Sequence, residues 1–250
     1  MGRVSGRPAN RLRAFAATLL LAIAAVPATS TSAVPATPES VLVFGGSGRL
    51  GADIVRVLHD AGYSVAVFVR PTSDRSRLAG LDVTYLEGNA LVDADVKRAL
   101  ESRRFDVVVN ALGRSEQDVS FYETTGRSIA RWSAASHVKQ VILHSSVGVG
   151  ESRAVYPAER LVSQSALLNY KGAAEQALID SGVSYTIIRN AILRDLPPGA
   201  VDGARLFADQ HKFGPVSREG LARLTRDCID NPDCDRRIFH AVDESMVVRR

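Results

Sequence analysis

The stretch Val41-Leu42-Val43-Phe44-Gly45-Gly46-Ser47-Gly48-Arg49-Leu50-Gly51 decides the fold of this 250-residue chain. Four apolar residues in a row, ending in glycines, have the form of a buried strand in a parallel sheet. The glycines let the backbone turn sharply and bring bare main-chain N–H groups up to an anion. A helix opening at Arg49 adds unpaired N–H groups and the positive end of its dipole. Gly51 allows that helix to lie close on the sheet. Strand, glycine loop and helix in this order read as a site for the diphosphate of a dinucleotide, in preference to a turn that serves only the fold.

Outward from this unit, strand-like and helix-like stretches alternate. The helix runs from Arg49 to about His59 and closes at Gly62. Strands are expected over Tyr63–Arg70, Val83–Leu86, Phe105–Val109, Gln140–His144, Ser184–Arg189 and Arg237–Val242, with a polar turn at Asp74–Arg77. Helices are expected over Val92–Ser102, Asp118–Ser136, Ala166–Ser181 and Ser217–Asp230. Repeated β-α units with β-branched strands predict an α/β fold: a doubly wound parallel sheet of the Rossmann type that binds NAD(P). The expected organisation is a leader over residues 1–38 and one domain over 39–250, with a small substrate lobe at about 190–236. Within that lobe Leu193–Phe213 is irregular and rich in Pro and Gly, in the place of a substrate lid or of a plain surface loop.

At 46% hydrophobic and 23% charged residues, the chain can bury a core without staples. Two cysteines exclude a disulfide scaffold and a cysteine-based zinc module, and no metal site is expected. Cys228 and Cys234 flank a turn-rich stretch, where a bridge and two separate thiols are both open. Of the 31 Lys+Arg, Arg3, Arg7, Arg11 and Arg13 fall in residues 1–38, which contain no acidic residue; the 27 that remain equal the 27 Asp+Glu of the rest. The formal charge of +4 therefore belongs to the leader, and a nucleic-acid partner has no support from charge.

The leader reads as a targeting segment. Its arginines precede an apolar run from Ala14 to Val26, shorter than the roughly 20 residues of a membrane span, so no integral span is expected in the mature chain. Small-residue cleavage options lie near Ala28–Ala33. The expectation is export, periplasmic or secreted, by a signal peptide, with organelle targeting or an uncleaved anchor as the alternatives.

The second strand bears on the choice of dinucleotide. An NAD site usually places a carboxylate near its end, for the ribose 2′-hydroxyl. Here Val65–Val69 ends in Arg70, whose guanidinium suits a 2′-phosphate, with Arg49 able to grip it from the other side. NADP(H) is therefore expected over NAD(H); the competing reading of Arg70 is a solvated charge at a strand end.

Further along stand Glu87-Gly88-Asn89, Val109-Asn110-Ala111-Leu112-Gly113, His144-Ser145-Ser146, Lys171-Gly172-Ala173-Ala174-Glu175 and Tyr185-Thr186-Ile187-Ile188-Arg189. In this order and at these spacings, over roughly residues 41–243, the chain resembles the atypical short-chain dehydrogenase/reductases of the NmrA-like, NAD(P)H-binding group. The resemblance implies that Asn89 stands beside the adenine, where the family often has Asp. It implies that Asn110, Ala111, Leu112 and Gly113 line the ribose and diphosphate. Ser145 or Ser146 would lie beside the nicotinamide and hold a substrate carbonyl, and Lys171 would bind the nicotinamide ribose. In ordinary members that lysine also lowers the pKa of a tyrosine four residues earlier, the proton donor. Here that position is Leu167, and Asn190 replaces a common proline. Both departures fall on the substrate side.

Two functions follow. The first is an NADPH-dependent oxidoreductase passing hydride to a carbonyl, quinone or enone, with Ser145, Ser146 and Lys171 as catalytic candidates. Its proton would come from water, Tyr156 or Tyr170. The second is an NAD(P)H-binding sensor or assembly protein without turnover, acting through a protein partner. The five histidines show no ligand spacing, and Tyr122 and Trp132 read as packing residues on a helix.

Overall fold

A computed structural model of the protein describes Gly2 and residues 39–113, 118–197 and 199–246. In chain order the elements are β1 (Ser40–Phe44), α1 (Arg49–Asp60), β2 (Ser64–Val69), β3 (Thr84–Glu87), α2 (Asp93–Glu101), β4 (Val107–Asn110), α3 (Phe121–Ala135) and β5 (Gln140–Ser146). Then come α4 (Ala158–Ser163), α5 (Ser165–Asp180), β6 (Ser184–Asn190), β7 (Ile192–Arg194), β8 (Arg205–Phe207), β9 (Pro215–Ser217), α6 (Arg218–Asp227) and β10 (Arg237–Val242).

One sheet runs β3-β2-β1-β4-β5-β6-β10-β8; its neighbours are parallel except for the edge strand β8, which pairs antiparallel to β10. β7 and β9 form a separate parallel pair. The central strands β1, β2 and β4 are almost wholly apolar because both faces of the sheet are covered there. Side chains alternate across it. Val41, Val43, Val65, Val67 and Val109 pack with the apolar faces of α1 and α6. Leu42, Phe44, Ala66, Phe68 and Val108 face the other way, toward α2, α3 and α5. The strand order reverses between β1 and β4, which opens a crevice at the carboxyl ends of the strands. The elements form a single α/β domain of the Rossmann type, as the alternating pattern predicts.

The differences from the sequence reading are local. Leu193–Phe213 is not irregular throughout: it holds the end of β7 and all of β8, which completes the main sheet. The short α4 and the three-residue strands were not foreseen, since so few residues show no period; their pairing is set by distant partners. β5 runs two residues past His144, so Ser145 and Ser146 end a strand. Cys228 and Cys234 are joined, with 5.4 Å between their Cα atoms. Asp106, just before β4, accepts from the Ser40 backbone N–H at 3.0 Å and pairs with Lys139 at 3.1 Å, tying the starts of β1, β4 and β5 together.

Candidate functional site

The glycine loop has the shape of a cradle that side chains cannot enter. Gly45 sits at φ +81°, and a Cβ on it would lie 2.6 Å from the Ala111 carbonyl oxygen. A Cβ on Gly51 would lie 2.1 Å from the Gly45 oxygen, so helix α1 meets the loop without room for a methyl group. The turn closes through Gly48 N–H to the Gly45 oxygen at 3.0 Å. Gly48 caps α1 with no side chain, and the first turn carries no acidic residue. Its N–H groups are therefore open to an anion.

This loop forms one wall of a cleft of about 960 Å³. Arg70 and Asn89 line one end. Asn89 spends its side-chain oxygen on the Leu91 N–H at 3.1 Å, which leaves its amide N–H groups for a ligand. Ala111, Leu112 and Gly113 continue the wall past the end of β4. At the inner end Ser145, His144, Lys171 and Tyr122 meet. Lys171 and Tyr122 come together because α3 and α5 pack very closely: a Cβ on Gly126 would be 2.5 Å from that of Ala174. One turn earlier on each helix, the Lys171 ammonium lies 4.6 Å from the centre of the Tyr122 ring.

Lys171 Nζ donates to Ser146 Oγ at 3.1 Å. Burial pulls its pKa down to about 8, against the opposing pull of Glu175 one turn on. Glu175 is buried with Arg189, which donates to it from Nε at 3.1 Å and from Nη2 at 2.6 Å. This pair fixes α5, and with it Lys171, to β6. His144 Nε2 pairs with Thr225 Oγ1 at 2.9 Å. Burial, and then the charge of Lys171, lower the His144 pKa to about 4, so the imidazole is neutral at pH 7. Between the ordinary value of 6.5 and about 4, protons bind the unfolded chain only. Stability is therefore expected in full above pH 6.5 and to fall by roughly 3 kcal/mol toward pH 4. Urea denaturation at pH 7 and pH 4.5 checks this. His144→Gln should flatten the difference, and an equal pH dependence in both proteins would assign it elsewhere.

Most of the residues singled out from sequence converge here: Gly45, Ser47, Gly48, Arg49, Leu50, Gly51, Arg70, Asn89, Ala111, Leu112, Gly113, Ser145 and Lys171 all line the cleft. Gly46 instead packs behind the loop against Val67 and Val55. Asn110 is buried, accepts from the Leu112 N–H at 3.2 Å and faces a small void next door. Ser146 stands behind Lys171 rather than in the lining. Neither Tyr156 nor Tyr170 lines the cleft, and the Tyr156 hydroxyl is bonded to Gln164 at 2.7 Å. Tyr122, read from sequence as packing, is the tyrosine that does line it, and His144 and Arg218 were missed as well. Helical spacing cannot separate a ring packed on a neighbour from one lining a cleft. Tyr122 lying four residues before Gly126 was the available signal. Arg49 does not reach toward Arg70; its guanidinium is held by Asp195.

The residues fit a dinucleotide. The cradle excludes side chains at Gly45 and Gly51, and the buried Ser145 Oγ lacks a hydrogen-bond partner among the described residues. Among those residues no helix is long and apolar enough to cross a membrane, and no cluster of His, Cys, Asp and Glu has the form of a metal site.

A family model described as NAD(P)H-binding matches residues 45–232. The chain is similar to the chloroplastic protein TIC 62 of Oryza sativa subsp. japonica, 27% identical over 175 residues. The match covers 60% of this chain and 34% of the rice protein, so the chain spans about a third of that relative's length. Among solved structures, ChuY from Escherichia coli O157:H7, described as an anaerobilin reductase, superposes with a TM-score of 0.73 at 20% identity, over 84% of this chain and 100% of that one. A short-chain dehydrogenase/reductase from Veillonella parvula DSM 2008, in complex with NADP, gives 0.67 at 17% identity, over 83% and 96%. The expectation of export by a signal peptide is corrected by the rice relative, which is a chloroplast protein. An acid-free stretch with arginines and small hydroxyl residues suits organelle import as well as secretion, so its pattern does not discriminate. The leader and the Ala28–Ala33 region lie outside the described residues.

Proposed function

This chain belongs to the NAD(P)H-binding family, and from that premise we propose an NADP(H)-binding protein whose output is occupancy of its cleft, serving as a sensor or as a module that docks a protein partner. The observation that carries this is the contrast between the two ends of one cleft. The nucleotide side has a complete glycine cradle with Arg70 at the end of β2. One turn before Lys171 on α5, however, stands Leu167, whose hydrocarbon side chain has no proton to donate. NADP(H) supplies hydride chemistry when bound. The chain's own residues hold it: N–H groups at the start of α1 for the diphosphate, Arg70 for the 2′-phosphate, and Lys171 for the nicotinamide ribose.

A second reading, an NADPH-dependent reductase of a carbonyl, quinone or enone, is favoured by the convergence of Ser145, Lys171 and Tyr122 at the inner end. The fold likeness to a protein described as a reductase supports it too. In that reading Ser145 orients the acceptor oxygen, Lys171 positions the cofactor, and Tyr122 or water delivers the proton. Loss of a dedicated acid slows such a reaction by about 10²–10⁴-fold without forbidding it.

One set of titrations separates the readings. Wild-type protein is expected to bind NADPH more tightly than NADH. Arg70→Glu should weaken NADPH by about 10–100-fold, the worth of a charge-assisted bond to phosphate, and leave NADH nearly unchanged. Saturated protein mixed with quinones, enones, aldehydes and flavins should leave the NADPH absorbance at 340 nm constant. Steady oxidation with any of them replaces the first reading with the second.

A further inference from the structure

Two arginines from opposite ends of the chain meet at the mouth of the cleft. Arg49 opens α1 and Arg218 opens α6, and both line the cleft. They hold one carboxylate between them: Arg218 Nη1 lies 2.5 Å from Asp195 Oδ1, and Arg49 Nη2 pairs with Asp195 Oδ2. Asp195 directly follows β7, and the next residue, Leu196, donates its N–H to Glu219 Oε2 at 3.2 Å. The burial of the three is unequal. The Arg218 side chain is only 13% exposed and keeps its place by packing, whereas Arg49 and Asp195 are 57% and 58% exposed.

Two guanidiniums converging on one anion, beside an uncapped helix N-terminus, have the geometry with which proteins hold phosphate. We propose that Arg49 and Arg218 form a clamp on the cofactor's diphosphate, and that Asp195 is an internal anion which the diphosphate displaces. The clamp adds to the glycine loop a second wall of binding groups, contributed by α6. Resting on the reading of the cleft as a dinucleotide site, it assigns Arg218 a binding role and Asp195 the role of a built-in competitor. A diphosphate carries more charge than one carboxylate and presents several oxygens to the two forks, so the exchange favours the nucleotide. Replacing Asp195 leaves the buried Arg218 with an acidic neighbour, because Asp53 also lies within its electrostatic reach, and the exposed Arg49 is solvated.

The test is calorimetric titration of the full chain with NADPH, NADH and ADP-ribose, which share only the ADP-ribose portion and its diphosphate. Asp195→Asn is expected to bind all three about 3–10-fold more tightly, since a rim carboxylate no longer competes. Arg218→Gln should weaken all three by about 10-fold or more, the loss of a charge-assisted contact to phosphate. In the double variant the gain from Asp195→Asn should shrink, because its partner is gone. If the wild type binds none of the three, the cleft is not a dinucleotide site and the clamp falls with it. Should the wild type bind while Asp195→Asn binds no more tightly, only the clamp is overturned. An effect confined to NADPH also overturns it, by moving the contact to the 2′-phosphate. Asp195→Asn carries the decision by itself if Arg218→Gln does not fold.

Discussion

Glu175→Ala is expected to cost about 3–5 kcal/mol of folding stability, because it leaves a buried guanidinium without its counter-charge. The side chains of Arg189 and Glu175 are only 6% and 4% exposed, and they pair through two hydrogen bonds. With the carboxylate gone, Arg189 keeps Nη1 on Gln210 at 2.9 Å, and the two nitrogens that faced Glu175 lose their acceptor. Replacing both members with methionine should cost much less than the single change, since an apolar pair of similar volume has no charge to strand. Urea denaturation of the two variants checks this; a single-variant loss below about 1 kcal/mol would show that the site rehydrates. The same substitution has a second readout. The charge of Glu175 holds the Lys171 pKa up, so its removal should take that lysine below about 8. Titration of Lys171 by NMR should show the downward move, which loss of packing alone would not produce.

Gly51→Ala is expected to abolish measurable nucleotide binding, a loss of at least about 100-fold, while the protein still folds with roughly 1–3 kcal/mol less stability. The added methyl would stand 2.1 Å from the Gly45 oxygen and 2.8 Å from the Gly46 Cα. Both are backbone atoms, so the clash is relieved only by moving the loop or lifting α1 from it. Either movement takes the N–H groups of the first turn away from the diphosphate. Calorimetry with NADPH measures the loss, and a far-ultraviolet spectrum like that of the wild type shows that the sheet and helices survive. If Gly51→Ala bound NADPH within a few fold of the wild type, the diphosphate would have to lie somewhere other than on this helix end.

The two variants probe contacts of different legibility. Gly51 announces itself in the sequence because the strand, the glycines and the helix that use it are neighbours along the chain. The buried pair does not: Glu175 and Arg189 each end a stretch that carries the family resemblance, but nothing along the chain pairs one with the other. Their contact arises only when α5 packs on the sheet beside β5 and β6. Tyr122 was misjudged for the same reason, since its place in the cleft depends on how closely Gly126 lets α3 approach α5. The export reading failed differently: arginines, an apolar run and small hydroxyl residues are common to segments bound for different compartments, so composition selects none of them.

The sequence by itself determined the parallel Rossmann-type sheet, its glycine loop, the guanidinium at the end of β2 and the absence of a tyrosine one turn before Lys171. Each of these is a pattern among residues close in the chain, where backbone geometry and burial leave few alternatives. Only the tertiary structure decided what surrounds Lys171, which tyrosine lines the cleft, that β8 completes the sheet, and that Asp195 lies between Arg49 and Arg218. Those contacts join residues remote in sequence, and their partners are selected by the packing of helices and strands rather than by local preference.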